Sequence, residues 1–145
     1  MGNARKTVLR LLTRLENSGS YSNILLDEGL ERSDLSLQDK KFAAALFYGV
    51  LERQITLDNI IREYSRNPKN KLGTEVRVIL RMGLYQLLYM DSVPDNAAVD
   101  ESVKLAKKNR NPAASGFVNA MLREFIRNDK KLPKGRNATE ELSIE

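Results

Sequence analysis

The chain has 145 residues, of which 24 are Lys or Arg and 19 are Asp or Glu, and it contains no His, Cys or Trp. The length predicts one domain with at most a short appendage, and 41% hydrophobic with 30% charged residues is typical of a globular protein. Without His or Cys the chain offers no disulfide, thiolate nucleophile, Ser-His-Asp triad or Cys-based metal site, so composition favours a binding domain over an enzyme.

The first half of the chain predicts three helices. A stripe of Ala, Val and Leu at spacings of three and four forms the first, which ends in the Asn-Ser-Gly-Ser turn of residues 17–20. Ser22 is the predicted N-cap of a short second helix. Ser36 and Asp39 resemble a capping box, and the run 42–51 behind them is apolar on nearly every side. This run predicts the central buried helix of the fold.

The second half predicts four more helices. Thr56 is the predicted N-cap of the fourth helix, and residues 67–73 form a loop after it. The cleanest apolar stripe runs through residues 76–88, and Gly83 in its middle predicts a close helix crossing. Two further helices follow breaks at 91–94 and 109–112, and no segment makes a convincing strand. The predicted fold class is therefore all-α.

The net charge of +5 is unevenly distributed along the chain. Residues 1–16 carry +3 and residues 104–136 carry +8, whereas residues 17–103 and the last nine residues carry −3 each. If the two basic segments meet in the fold, they form one basic face, which is the electrostatic footprint of a polyanion-binding protein. The alternative is that these Lys and Arg residues only solvate exposed faces. An acidic membrane is a weaker alternative, because the basic helices lack large exposed apolar faces.

A membrane location is also disfavoured, since no run approaches the roughly 18 apolar residues of a membrane span and the N-terminus has no signal-peptide core. The expected location is the cytoplasm.

Several polar and aromatic residues beside the apolar stripes have two interpretations each. Arg77, Arg81 and Tyr85 lie at i, i+4 and i+8, where structural ion pairs and packing are favoured over RNA contacts. Asn119 either bonds locally or faces a ligand. Phe117 either joins the core or stacks on a base, because it opens a helix straight after a basic segment. The sequence contains no glycine-rich phosphate-binding loop.

Motifs in a fixed order resemble the NusB/RsmB domain family over about residues 3–128. They are Leu80-Arg-Met-Gly-Leu-Tyr-Gln-Leu-Leu-Tyr89, Val93-Pro94, Ala97-Ala-Val-Asp-Glu-Ser-Val-Lys-Leu-Ala-Lys107 and Gly116-Phe-Val-Asn-Ala-Met-Leu-Arg123, with Tyr21-Ser-Asn23, Asp39-Lys-Lys-Phe42 and Tyr48-Gly-Val-Leu51 before them. The resemblance implies a bundle of about seven helices in two packed helical subdomains.

Two branches of this family imply different functions. NusB is a free-standing transcription antitermination factor that binds RNA with a small ribosomal-protein partner. RsmB (also called Sun or Fmu) is a methyltransferase that acts on cytosine carbon five of small-subunit rRNA. Gln86, Ala120 and Arg123 are more similar to the RsmB branch, since NusB more often has an acid at the first position and Gly and Asp at the others. The stretch Leu142-Ser143 also resembles RsmB.

In the RsmB interpretation, this chain is a fragment. Residues 1–128 are then an RNA-binding domain, and residues 129–145 are a basic and then acidic linker toward an absent catalytic domain. That domain would supply the cysteine nucleophile and bind S-adenosylmethionine, so no catalytic residue, cofactor contact or metal ligand is assigned to this chain. The expected partners are rRNA and the catalytic domain. The alternatives are the antitermination factor with its ribosomal-protein partner, and a protein-interaction module with a merely solvated basic face.

The resemblance and the charge distribution together imply a set of RNA-binding residues. In the NusB branch, the basic N-terminal helix and the start of the Phe-Val-Asn helix face RNA. The residues carried over on this basis are Arg5, Lys6, Arg10, Arg14, Phe117 and Asn119, with phosphate contacts from Lys104, Lys107, Lys108, Arg110 and Arg123.

Overall fold

The computed structural model describes residues 3–65 and 72–133, which form seven α-helices and, over these ranges, no strand. The all-α class is confirmed. The predicted loop at 67–73 lies mostly outside the described residues, and the predicted linker lies outside them from residue 134 onward. The helices are α1 (Ala4–Ser18), α2 (Ser22–Arg32), α3 (Leu37–Glu52), α4 (Gln54–Tyr64), α5 (Thr74–Tyr89), α6 (Asp95–Ala106) and α7 (Ala114–Arg127).

The helices pack as two groups that meet at α5. Helices α1, α2 and α3 pack on one another, and α4, α6 and α7 pack around α5. Helix α5 also contacts α1 and α3, and its residues are buried on several sides between Val76 and Leu87. The prediction that the run 42–51 is the central helix is therefore wrong. Helix α3 is exposed to solvent along one side, where Tyr48 is 42% exposed. Apolar residues on all sides of a helix predict burial, but they do not determine which helices pack around it.

Two of the predicted helix boundaries are confirmed. Gly19 ends α1 with a φ of +67°, a left-handed conformation that favours glycine, and its N–H donates to the Leu15 carbonyl at 3.0 Å. The Ser36 hydroxyl accepts a hydrogen bond of 3.1 Å from the Asp39 backbone N–H, as the capping motif predicts. These two signals are local, so the sequence alone is sufficient to identify them.

Two predicted caps are wrong. Thr56 is buried inside α4, which begins at Gln54. The helix begins this early because a single residue, Arg53, connects α3 to α4 and is the cap residue of both. Ser22 is the first residue of α2, whose N-cap is Tyr21 without a side-chain hydrogen bond. In both cases the preceding chain determines where the helix begins, and the nearest Ser or Thr does not.

Gly83 marks a close crossing of helices, as the sequence predicts. A Cβ atom at this position would lie 2.8 Å from the Ser102 Oγ and 2.9 Å from a Leu122 methyl carbon. Helix α5 therefore approaches α6 and α7 at a distance that only glycine permits without a shift of these neighbours. This crossing fixes α6 against the centre of the bundle and so positions the end of α6, where a basic segment begins.

A membrane-spanning element is not found in the described part of the chain, since each helix there is too short or too polar to cross a bilayer.

Candidate nucleic-acid interface

A groove of about 600 Å³ lies between the outer face of α1, the start of α5 and the end of α6. It brings the two basic segments of the sequence together, because Lys6, Arg10 and Arg14 line it from α1 and Lys108 lines it from the turn after α6. Leu9 and Leu105 also line it, so the groove has apolar as well as cationic walls. We call this feature the basic groove.

The spacing of the α1 residues explains why the cations share one face. Lys6, Arg10 and Arg14 follow one another at intervals of four, which places them on the same side of a helix. Val8 and Leu11 are buried on the other side. The three cationic side chains are exposed and form no ion pair with any residue that the structure describes. Their charge is therefore not neutralised by the part of the fold that the structure describes.

Polar residues that the sequence did not single out as site residues also line the basic groove or support it. Glu75, in the first turn of α5, lines it together with Thr13. The Asn109 side-chain amide donates to the Glu75 Oε1 at 2.8 Å and so joins the turn after α6 to the start of α5. This bond holds the turn that carries Lys108. No pattern in the sequence signals it, because the two residues lie 34 positions apart.

Arg5 lies outside the basic groove, on another side of α1. Its Nε donates to the Gln86 Oε1 at 2.7 Å, and its guanidinium carbon lies 4.9 Å from the centre of the Phe42 ring. Burial lowers the pKa of the Arg5 guanidinium from its usual value, and the nearby Glu101 carboxylate opposes this shift. Arg5 therefore connects α1 to α3 and α5, and it lines a separate cleft that contains Asp39 and Glu101.

The remaining cations of α6 and the turn after it lie around Lys108 without lining the basic groove. Lys107 and Arg110 are exposed and form no ion pair within the described ranges. The ammonium of Lys104 lies 3.4 Å from the Glu101 carboxylate, one turn earlier on the same helix. Lys107 and Arg110 thus extend the unpaired positive charge, whereas the charge of Lys104 is partly balanced.

The residues predicted on α7 are held by local contacts away from the basic groove. The Asn119 Oδ1 accepts a hydrogen bond of 2.8 Å from the Arg123 Nε, and the Arg123 Nη2 lies 3.8 Å from Asp100 on α6. Of the two interpretations of Asn119, the local bond is the one that the structure shows. Phe117 is half-buried and lines a different groove of about 300 Å³ with Tyr64.

The arginines of α5 form structural ion pairs, as the sequence favours. The Arg81 side chain is 5% exposed, and its Nε and Nη2 donate to the two Asp58 carboxylate oxygens at 2.7 and 3.0 Å. Its Nη1 lies 3.5 Å from the Glu16 Oε2 at the end of α1, and Arg77 lies 3.8 Å from the other oxygen of Glu16. This network joins α1, α4 and α5 and pairs both cations with carboxylates of the fold, although Arg77 stays 37% exposed.

The arrangement of the basic groove suits the binding of a polyanion. Exposed cations without a carboxylate partner in the described structure can contact phosphates, and the apolar wall can cover part of a base. Within residues 3–65 and 72–133, no group of three or more acidic residues is placed to hold a metal ion.

Three comparisons place this chain among known proteins. A family model described as the NusB family matches residues 2–127. The chain is 37% identical over 144 residues to a protein of Synechocystis named "Probable ribosomal RNA small subunit methyltransferase B", with 99% of this chain and 32% of the relative covered. It is 33% identical over 138 residues to the transcription antitermination protein NusB of Ruminiclostridium cellulolyticum, with 94% of each covered.

A solved structure of the antitermination factors NusB and NusE in complex with double-stranded RNA contains a similar chain. The TM-score is 0.77 at 25% sequence identity, and the match covers 86% of this chain and 94% of that one. The chain spans about a third of the length of the methyltransferase relative and nearly all of the NusB relative. The predicted family is therefore confirmed. Relatives from both of its branches, the methyltransferases and NusB, are similar to this chain.

Proposed function

The chain belongs to the NusB family, and we propose that it binds RNA through the basic groove between α1 and the end of α6. One observation carries this proposal: Lys6, Arg10 and Arg14 share a face of α1, meet Lys108 across the basic groove, and have no carboxylate partner among the described residues. Cations that only solvate a surface are expected to be spread over it and not to line one groove from two distant segments of the chain. The binding of a polyanion accounts for this convergence of cations.

Within this proposal, the cations contact phosphates and the apolar wall receives part of a nucleotide. Phosphate contacts provide affinity and orientation without sequence preference. Leu9 and Leu105 are each 8% exposed, and this small apolar surface in the groove is what a base can cover when it leaves water. Lys107 and Arg110 continue the positive surface beyond the groove and would extend the phosphate contacts along the strand.

The antitermination context has the fuller support from the comparisons. The NusB relative matches this chain over nearly its own whole length, and the solved complex contains a similar chain with NusE and RNA. In this context the chain is a transcription antitermination factor that binds RNA together with NusE, a small protein partner.

The methyltransferase context is a second candidate, and a specific observation favours it. The identity of 37% extends over 99% of this chain, and the matching part is a third of the methyltransferase relative. Gln86, Ala120 and Arg123 point to the same branch. In this context the domain holds rRNA for a catalytic domain, which would supply both S-adenosylmethionine binding and the cysteine nucleophile.

The salt dependence of RNA binding tests the proposed function. We expect the affinity for a labelled nine-nucleotide RNA to fall with salt, with a slope of log affinity against log salt of about 0.7 for each phosphate contact. The double variant Arg10→Ala, Arg14→Ala removes two groove cations, so its slope should decrease by about 1.4. The matched control Arg32→Ala, Lys41→Ala removes two exposed cations outside the groove and should keep the slope of the parent.

Two results would contradict the proposal. One is an affinity that does not change with salt, since a polyanion cannot bind a cationic surface without releasing counterions. The other is an equal loss of slope in both double variants, which would show that total charge, and not the basic groove, attracts the RNA.

A second experiment separates the two contexts. Purified NusE is added to the chain with RNA present, and the RNA affinity is measured with and without it. A higher affinity with NusE supports the antitermination context. An unchanged affinity, with no co-elution of NusE and the chain, supports the methyltransferase context.

A further inference from the structure

We propose that Glu75 makes the basic groove selective for an unpaired base that presents amino and imino donors, with guanine preferred. This inference rests on the proposed RNA-binding function and adds to it a residue that determines specificity. Phosphate contacts alone carry no sequence information. A sequence preference therefore requires a group in the basic groove that contacts the edge of a base.

Glu75 is an unexpected residue in a site for phosphates. Among the described residues that line the basic groove, it is the only acid, and the other charged ones are Lys6, Arg10, Arg14 and Lys108. A carboxylate repels the phosphate groups that these cations attract, so it lowers the affinity for the backbone. The bond from Asn109 gives Glu75 a structural role at one oxygen, and a hydrogen bond from a base would use the other.

The Glu75 carboxylate is held in a fixed orientation. The Asn109 Nδ2 donates to its Oε1 at 2.8 Å. The Oδ1 of the same amide accepts from the Asn111 backbone N–H at 2.9 Å, which fixes the amide in turn. The second carboxylate oxygen, Oε2, has no hydrogen-bond partner among the residues described. Glu75 thus offers an acceptor oxygen that no described residue uses.

The surroundings of Glu75 are suited to a base. The groove volume of about 600 Å³ is comparable to that of small-molecule sites, which span about 300–1,000 Å³. Leu9 and Leu105 supply apolar contacts for the ring faces. Thr13 also lines the groove, and its hydroxyl oxygen is buried without a hydrogen-bond partner in the described structure.

The donor pattern of each base determines the predicted order of preference. A carboxylate only accepts hydrogen bonds. Guanine presents two adjacent donors on its Watson–Crick edge, the N1–H and the N2 amino group. One can bond to the Oε2 that no described residue uses, and the other to the second lone pair of Oε1, which also accepts from Asn109. Adenine and cytosine present one amino group each. Uracil presents a single imino donor between two carbonyl oxygens, which the carboxylate repels. We therefore expect guanine first and uracil last.

A set of oligonucleotides that differ at one base tests this inference. Labelled nine-nucleotide oligouridylates carry guanosine, inosine, adenosine, cytidine or uridine at the centre, and fluorescence anisotropy measures the affinity of each. We expect guanosine to bind about tenfold more tightly than uridine, as for a bidentate contact to a base. Inosine lacks the N2 amino group and should lie between them.

The variant Glu75→Gln separates a base contact from a charge effect. Glutamine can still accept the bond from Asn109, so the variant should fold as the parent does, which circular dichroism checks. We expect it to bind the guanosine and uridine strands within about twofold of each other, while the affinity for the all-uridine strand stays equal or rises. The matched control Glu28→Gln removes one exposed acid on α2 and should keep the tenfold preference.

Two outcomes would overturn the inference, and each differs from a failure of the proposed function. One is an equal affinity of the parent for all five strands. The other is a Glu75→Gln variant that binds every strand more tightly by the same factor, because Glu75 then acts through charge alone. In both cases a salt-dependent affinity for the all-uridine strand would still support RNA binding. A parent chain that shows no salt-dependent binding to any strand would contradict both proposals.

Discussion

The chain uses its arginines in two opposite ways, and the difference separates the core from the basic groove. Arg81 is almost fully buried and bonds to carboxylates on two other helices, so its positive charge is balanced within the protein. Arg10 and Arg14 are exposed on α1 and have no carboxylate partner among the described residues. Residue type does not distinguish these arginines, although the place of Arg81 beside the apolar stripe of α5 favours an ion pair for it. What distinguishes them is whether a neighbouring helix presents a carboxylate.

Helix α1 takes part in both regions. Its last turns carry Glu16, which contacts Arg77 and Arg81, and its outer face carries the groove cations. The ion pairs therefore fix the helix from which the unpaired cations project. Variants of the two regions should therefore affect different measurements, unfolding free energy for the ion pairs and RNA affinity for the groove cations.

The largest effect is expected for Arg81→Met. The substitution keeps much of the apolar volume but leaves Asp58 and Glu16 without their buried partner. Breaking a buried pair costs about 3–5 kcal/mol, and we expect about 3 kcal/mol here because both carboxylates are partly exposed. Urea unfolding measures the loss. A free energy of unfolding within about 0.5 kcal/mol of the parent would show that the network contributes nothing to stability.

The double charge reversal Arg10→Glu, Lys108→Glu should lower RNA affinity and leave stability unchanged. It places two carboxylates on facing walls of the basic groove, so RNA affinity should fall about 100-fold at low salt. Because neither side chain has an ion pair in the described structure, the free energy of unfolding should stay within about 0.5 kcal/mol of the parent. Anisotropy and urea unfolding on the same samples check both values. A variant that loses stability together with affinity would place these residues in the core network.

Arg5→Lys tests a residue that lies between the two regions. Lysine cannot reproduce both the bond to Gln86 and the contact over the Phe42 ring, so we expect a loss of about 1 kcal/mol in unfolding free energy. The salt slope of RNA binding should not change, since the charge is kept and lies outside the basic groove. If the affinity falls tenfold while stability is unaffected, Arg5 contacts RNA directly, as the family resemblance implies.

The smallest effect is expected for Lys104→Ala. This lysine is exposed and already pairs with Glu101, so its removal should change RNA affinity by less than about twofold and stability by less than about 0.5 kcal/mol. The parallel variant Lys108→Ala should reduce affinity more, because Lys108 lines the basic groove. Equal losses in the two variants would mean that pairing within the protein does not determine which cations bind RNA.

The sequence predicts those features that depend on periodicity or on a local signal. The spacing of Lys6, Arg10 and Arg14, the crossing at Gly83 and the cap at Ser36 belong to this group. Each follows from residues within a few turns of one another. The all-α fold is predictable for the same reason.

Other features depend on contacts between distant segments, and the sequence could not predict them. The burial of Arg5 requires Phe42 from α3 and Gln86 from α5. The position of Glu75 in the basic groove requires the turn after α6, which Asn109 attaches. Helix α5 is central because α1, α3, α4, α6 and α7 all pack against it, and its stripe resembles that of any amphipathic helix. Tertiary packing determines each of these outcomes.

The most direct test of the central claim is to map the residues that touch RNA. A nine-nucleotide RNA with 4-thiouridine at several positions is cross-linked to the parent chain by light, and mass spectrometry identifies the labelled peptides. We predict cross-links within α1 and in residues 105–110, on the two walls of the basic groove. Cross-links confined to residues 21–52, where Tyr21, Ile24 and Leu37 are exposed, would contradict the claim that the unpaired cations of the basic groove hold the RNA.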